Sequence, residues 1–303
     1  MNIGIIGQGF VGNAVYQKFK NFFTVLTYDL NSKLCNSNFE EINKNCSIVF
    51  ICLPTPMNSD GSCDISIVEN MISKFSSKII INKSTVPPGA TERFNTKYKN
   101  LQIVFNPEFL TERNAVQDFN NQNRIIIGGP RPATTTVKNI FSKVFPQAHI
   151  IKTGSTHAEM IKYFTNSFLA TKVSFANEMY DLCLKLNLDY DKVVEYSVLD
   201  KRIGNSHLNV PGPDGDLGFG GHCFPKDVQA LIYEAFQLGL QPMMLTATLG
   251  KNDEVRGERD WEKMDGRAVI NTNNFKKVEG FATLEDMRNG VEAENPNQLK
   301  MFS

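Results

Sequence analysis

Cys223 lies in the run Gly220-Gly221-His222-Cys223-Phe224-Pro225-Lys226-Asp227, a thiol between a glycine turn and a lysine–aspartate pair. A thiolate that adds to an aldehyde makes a thiohemiacetal, from which a second hydride can leave before water releases a carboxylate. Upstream, Lys162 and Asn166 stand four residues apart, so on a helix they share a face and can meet one substrate oxygen. The lysine would polarise a developing alkoxide and the asparagine would hold the same atom. Each feature also has a plain reading. Lone cysteines are commonly packing residues, and a lysine and an asparagine at that spacing commonly form a solvated pair. A nearby cation would favour the thiolate of Cys223, and His222 stands beside it as a group that tunes it.

Hydride chemistry needs an acceptor, and the chain opens on one. The apolar run Ile3-Gly4-Ile5-Ile6 leads directly into Gly7-Gln8-Gly9-Phe10-Val11-Gly12, and Asn13-Ala14-Val15-Tyr16 reads as the first turns of a helix. Strand, glycine turn and helix are the context a dinucleotide site requires. Gly7 makes the tight turn, Gly9 lets backbone approach a pyrophosphate, and Gly12 permits close packing behind it. Phe10 and Val11 fall in the same loop. A second strand, Phe23 to Tyr28, ends at Asp29, whose carboxylate suits a ribose diol and repels a 2′-phosphate. The expected cofactor is therefore NAD rather than NADP.

Further on, short β-branched runs alternate with amphipathic stretches. Strands are expected over Ser47–Leu53, Lys78–Lys83, Leu101–Phe105 and Arg124–Gly128, with helices over Ile65–Phe75 and Ala90–Tyr98. That alternation indicates an α/β fold, a Rossmann-like doubly wound and mainly parallel sheet. From Gly154 the pattern becomes helical, with a long helix over Thr156–Lys185 and another over Leu188–Leu199. Thr156-His157-Ala158-Glu159 reads as the cap of the long helix, with an acid in its first turn. The expected domains are 1–153 (dinucleotide-binding), 154–252 (a helical central domain carrying the cysteine loop) and 253–303 (a short polar tail).

Composition narrows the class. A chain of 303 residues suggests about two domains. Lys plus Arg and Asp plus Glu both number 32, so no charge excess points to nucleic acid or to an anionic membrane. No apolar run approaches a membrane span, and the first residues read as strand rather than as a leader. The six cysteines show no CxxC pairing, which suits free thiols in a reducing compartment, so a cytoplasmic protein is expected. His149, His157 and His207 have no triad or metal-ligand spacing, and no metal is expected.

Seven ordered motifs resemble the nucleotide-sugar 6-dehydrogenases, the UDP-glucose and GDP-mannose dehydrogenase family, over roughly residues 1–251. They are Gly7–Gly12, Leu53-Pro54-Thr55-Pro56, Lys83–Gly89, Asn106–Glu112, Ala158–Asn166, Asp200–Gly204 and Gly220–Asp227. The resemblance implies NAD-dependent, four-electron oxidation of a nucleotide-sugar primary alcohol to an acid. In it Cys223 is the nucleophile, Lys162 and Asn166 hold the oxyanion, and Asp227 assists the lysine and the hydrolytic water. Thr85, Glu108 and Glu112 order that water beside sugar and nicotinamide, Glu112 as the better general base. Lys33, Pro54, Thr55, Thr85 and Glu112 join the glycine loop and Asp29 on the cofactor side. Phe109, Leu110, Phe219, Gly220 and Gly221 wrap the sugar and diphosphate beside Lys162 and Asn166. Arg202 matches an arginine that reaches a neighbouring subunit's substrate, or else makes a surface salt bridge. A homodimer through the central helices is also implied.

Members of the family continue into a further α/β domain that closes over the nucleotide, and these 303 residues carry no counterpart of it. The tail holds two short apolar runs, Arg267–Ile270 and Gly280–Ala282, each read as an added strand, a partner contact or part of a mobile terminus. Two other readings stay open. One is a two-electron NAD-dependent hydroxyacid dehydrogenase that has no need of Cys223; the other is a non-catalytic protein that binds NAD or a sugar nucleotide.

Overall fold

The structure is a computed structural model and describes residues 1–270; the run Gly280–Ala282 and the rest of 271–303 lie outside the described residues. In chain order the elements are β1 (Asn2–Ile6), α1 (Phe10–Phe19), β2 (Thr24–Tyr28), α2 (Phe39–Asn45), β3 (Ile48–Ile51), α3 (Ser66–Ser73), β4 (Ile79–Asn82), α4 (Ala90–Lys97), β5 (Gln102–Phe105), α5 (Ala115–Asn120), β6 (Arg124–Gly128), α6 (Ala133–Val144), β7 (His149–Thr153), α7 (Ser155–Lys185), α8 (Tyr190–Ser197), α9 (Phe224–Gln237) and α10 (Met243–Val255).

The seven strands form one sheet in the order β2-β1-β3-β4-β5-β6-β7. All pairings are parallel except β5 with β6, which meet antiparallel at Phe105 and Gly128. Helices cover both faces, which explains why β3 is an unbroken apolar run buried at every residue. Its alternate side chains serve different layers: Ile48 and Phe50 pack with α1, α5 and α6, while Val49 and Ile51 pack with α2, α3 and α4. Phe19 anchors the first layer, edge-on to Phe50 at 5.1 Å and to Phe141 at 5.5 Å.

After β7 the chain enters α7, 31 residues long and about 46 Å from end to end. Its N-terminal cap differs from expectation. Gly154 is the cap residue, without a side-chain bond, and the first turn carries no acid. Glu159 instead points across to α4, accepting the Gly89 N–H at 2.6 Å and the Thr91 N–H at 2.8 Å. Those are orphan donors of a helix start, so the carboxylate ties α7 to the sheet domain rather than closing its own helix.

Helices α9 and α10 pack on α7 around Ala170, Phe219, Val228 and Ile232. Residues 256–270 do not trail away as a mobile tail. Trp261, Ala268 and Val269 form a small core with Met57, and Ile270 N–H donates to the Met57 carbonyl at 3.0 Å. The first of the two apolar runs therefore adds a short parallel bridge beside the loop that follows β3. Among the described residues no helix is long and apolar enough to cross a membrane.

Candidate active site

The loops after β1, β2, β3, β4 and β5 all open on the same edge of the sheet, where parallel α/β sheets bind ligands. There they line a cleft of about 770 Å³, whose wall is completed by His222, Cys223, Lys226 and Arg267. Gly7, Gly9, Phe10, Val11, Asp29, Pro54, Thr55, Thr85, Glu108, Glu112 and Cys223 all border it.

On the sheet side, backbone geometry makes the site. Gly7 has a φ of +89°, and a Cβ there would sit 2.3 Å from the Cys52 carbonyl. A Cβ on Gly12 would sit 1.9 Å from the Gly7 carbonyl, so α1 lies hard against the loop it follows. Gly9, by contrast, faces open space, with nothing within 4 Å of a Cβ, and it caps the α1 N-terminus. A loop tight behind and bare in front fits a pyrophosphate at a helix N-terminus. Asp29 accepts the Gln8 N–H at 2.7 Å and the Asn31 N–H at 2.8 Å, which holds its carboxylate at the end of β2 beside the cleft. Lys33 lies elsewhere, in a neighbouring hollow of about 540 Å³ shared with Gln8, Gly9, Phe10 and Tyr16.

The helical side brings charges together. Lys162 is buried and its Nζ donates to the Glu108 carboxylate at 2.9 Å and to the Glu108 carbonyl at 2.6 Å. Burial opposes both charges, but each stabilises the other: Lys162 is held above, and Glu108 below, its ordinary value. One turn on, Asn166 Nδ2 donates to Asp227 Oδ2 at 2.6 Å, and the other oxygen of Asp227 pairs with Lys226. Asp227 thus bonds Asn166 and Lys226 rather than Lys162 itself. Lys162 and Asn166 do share a face of α7, buried rather than solvated.

Cys223 is half-buried at the start of α9, its Sγ 3.3 Å from His222 Nε2. Lys162 and Lys226 favour its thiolate, as expected of nearby cations, but burial outweighs them. Burial pushes the thiol up to about 12, Glu108 and Asp227 push the same way, and Lys162 and Lys226 do not overcome them. Glu112 pairs with Arg267 at 2.7 Å and with His222 at 3.3 Å, which hold its carboxyl below the usual range despite partial burial. Thr85 lies in the loop after β4, its carbonyl 3.7 Å from Cys63 Sγ.

The remaining positions divide. The Phe109 ring carries Lys162 Nζ at 5.4 Å and Arg124 at 4.6 Å over its centroid, and Leu110 donates its N–H to Glu108 at 2.8 Å, so both brace the ion pair. Phe219 is core, packed with Ala170 and Val228. Gly220 and Gly221 form the turn before the thiol. A Cβ on Gly220 would meet Arg256 and Asp260 at 2.3 Å, and the Gly221 N–H donates to Asp260 at 2.9 Å. Arg202 is exposed and paired with Asp200, outside the cleft of its own chain. Sequence reasoning passed over four residues: Lys83, buried and bonded to Asn106 Oδ1 at 2.9 Å; Arg267; Asn252; and Arg256. Lys83 sits inside a recognised motif and its signal was there; Asn252 closes the stretch read as the central domain, Arg256 falls in the stretch read as a short polar tail, and Arg267 opens a run read as apolar. Among the described residues, no group of His, Cys, Asp and Glu is arranged to hold a metal ion.

Comparison with known proteins settles the family. The model of the UDP-glucose/GDP-mannose dehydrogenase NAD-binding domain matches residues 24–148, and that of the family's central domain matches 156–254. UDP-glucose 6-dehydrogenase AglM of Haloferax volcanii is 32% identical over 84% of this chain and 70% of its own length. The chain belongs to the UDP-glucose/GDP-mannose dehydrogenase family. Members are NAD-dependent oxidoreductases acting on CH–OH groups, and the cleft described above fits NAD. A UDP-glucose 6-dehydrogenase of Pseudomonas aeruginosa is 35% identical over 80% of this chain and 60% of its own length, and one of Rickettsia bellii is 39% identical over 71% and 50%. The solved structure of a UDP-glucose dehydrogenase from Pyrobaculum islandicum superposes with a TM-score of 0.76 at 30% identity, over 84% of this chain and 68% of that one. The chain therefore spans about half to seven tenths of the length of these relatives. A 3-hydroxyisobutyrate dehydrogenase from Mycobacterium tuberculosis shares the fold at 15% identity, with a TM-score of 0.67.

Proposed function

We propose that this site oxidises the primary alcohol of a nucleotide sugar, UDP-glucose being the first substrate to try, to the uronic acid through a thioester on Cys223. The observation that carries the reading is that Cys223 and Glu108 border the same cleft as the glycine loop and Asp29, with Lys162 buried behind Glu108 and paired to it. A two-electron hydroxyacid dehydrogenase would have no use for a thiol there.

NAD bound against the glycine loop would accept one hydride at each of two oxidations. Lys162, fixed by Glu108 and charged, faces the oxygen that gains negative charge, and Asn166 holds the same atom from one turn away. Both are locked by buried partners, so they need little rearrangement as charge develops. Cys223 adds to the aldehyde carbon, and the carbonyl electron pair moves onto that oxygen. After the second hydride leaves, Glu112 and Thr85 order the water that attacks the thioester, and sulfur departs with a proton restored. Pro54 and Thr55 border the cofactor end of the cleft and Lys33 lines the adjoining hollow, while Gly220, Gly221, Phe109 and Leu110 would shape the sugar end through the residues they brace.

The dimer belongs to this reading. Phe168, Phe175 and Leu182 are exposed at seven-residue intervals along α7, with Phe164 beside them, a stripe a second copy would cover. Arg202 would then face the partner's cleft. All six cysteines are free, which suits the cytoplasm.

Purified protein given UDP-glucose and NAD should form two NADH for each acid released. One NADH per ketone would replace this reading with the two-electron one, and binding of both ligands without NADH would leave a non-catalytic protein.

A further inference from the structure

The thiol of Cys223 must lose its proton for sulfur to add to an aldehyde, and the cleft holds few groups free to take it. Lys162 and Lys226 are themselves protonated, donating to Glu108 and Asp227. The Glu108 carboxylate is engaged by Lys162 and the Leu110 N–H, and Asp227 by Asn166 and Lys226. Glu112 is engaged by Arg267.

His222 differs from all of these. Its Nε2 is 3.3 Å from Sγ, while Nδ1 is 3.3 Å from Glu112 Oε2. An ionised carboxylate can only accept, so Glu112 beside Nδ1 favours the ring proton there and leaves the Nε2 lone pair facing the thiol. The ring is nearly enclosed, its side chain 13% exposed, with Phe10 edge-on at 5.2 Å. Arg267 fixes the far side of Glu112 at 2.7 Å. Nucleophile, imidazole and orienting carboxylate thus stand in the order that activates a thiol.

We infer that His222 is a catalytic base for Cys223, with Glu112 as its positioning residue. As the S–C bond forms, the thiol proton passes to Nε2 and the carbonyl electron pair passes to oxygen. When water cleaves the thioester, the departing sulfur takes that proton back, so histidine ends as it began and no electrons are exchanged. The charges around the ring keep it in the form that can accept: burial, Lys226 and Arg267 disfavour imidazolium, while Glu112 and Glu108 partly offset them, and the ring stays below its ordinary value. The inference deepens the thioester reading and rests on it for its place in the reaction, but its test does not.

Iodoacetamide labelling of the full chain, read at the Cys223 peptide by mass spectrometry across pH, needs neither NAD nor a sugar. The native rate should rise through an inflection below the usual imidazole value. His222→Gln should slow labelling at pH 7.5 by about a hundredfold and remove the inflection. In His222→Gly, added imidazole should restore the rate. Glu112→Gln should move the inflection to lower pH, because a negative charge that favours imidazolium is gone. Cys46 and Cys183, buried in the native fold, report folding by staying unlabelled. Equal Cys223 labelling in folded His222→Gln and native protein, or a native profile without the inflection, overturns the inference. If the relay holds but no NADH forms from nucleotide sugars, the relay stands and the proposed function falls.

Discussion

The two walls of the cleft are built in different ways. The glycine loop is held by its own turn and by the two strands beside β1: Gly12 closes on Gly7, the Gly7 N–H donates to the Tyr28 carbonyl at the end of β2, and Gly7 lies against the Cys52 carbonyl after β3. The thiol turn is held from afar. Phe219 N–H donates to Asn252 at 2.6 Å, the Gly218 N–H to Asn177 at 3.1 Å and the Gly221 N–H to Asp260, while buried Arg256 joins Asp214 and Asp260. The first wall is a local conformation that glycine alone permits. The second exists only once α7, α10 and the residues after α10 have assembled.

Removing the chemistry should have the largest effect. Cys223→Ser should lower acid formation by about a thousandfold or more while leaving NAD binding intact, measured by NADH release and by cofactor titration. Loss of NAD binding as well would mean that the two walls are not separable. Next, Asn252→Ala leaves the Phe219 N–H and carbonyl buried without partners, and should cost about 2–4 kcal/mol in denaturant unfolding and cripple turnover. On the other wall, Gly12→Ala forces a Cβ to within 1.9 Å of the Gly7 carbonyl, and should cost about 1–3 kcal/mol of stability and weaken NAD binding. If Gly12→Ala spares NAD binding and Asn252→Ala abolishes it, the contrast is reversed.

Between the walls sits Lys83, whose burial holds its ammonium down to about 8, although Cys52 and Glu108 favour the charge. An unfolded lysine keeps its proton to about 10.4, so the unfolded state binds more protons between those values and native stability rises with pH across that window. Melting temperature followed from pH 7.5 to 9.5 should show this rise, on the order of 1 kcal/mol. Lys83→Met should flatten that component. The smallest change is expected from Arg267→Ala. Its half-exposed pair with Glu112 should alter the KM for NAD by only about threefold, readable in steady-state kinetics.

Much of this was legible in one dimension, for reasons particular residues show. Gly7, Gly9 and Gly12 could be assigned because their task is backbone geometry within six residues, and the β3 run Ile48–Ile51 because burial on both faces demands unbroken apolar sequence. Lys162 and Asn166 could be paired because helical spacing puts them on one face. Glu159 misled: an acid near a helix start suggests its own helix, and nothing local reveals that the donors it meets belong to α4. Residues 256–270 fell within the stretch expected to be a short polar tail, yet Arg256 is 6% exposed with three carboxylates around it.

The order of the amino acids was enough to determine the doubly wound sheet, the dinucleotide loop and the presence of a thiol among polar neighbours, because each depends on spacing within a few residues. Only the tertiary structure decided that Glu108 holds Lys162, that Glu112 meets His222, and that Arg267 returns to the cleft. Those pairings join residues far apart in sequence. Their energies come from burial and charge compensation, which arise only when the chain has brought the partners together.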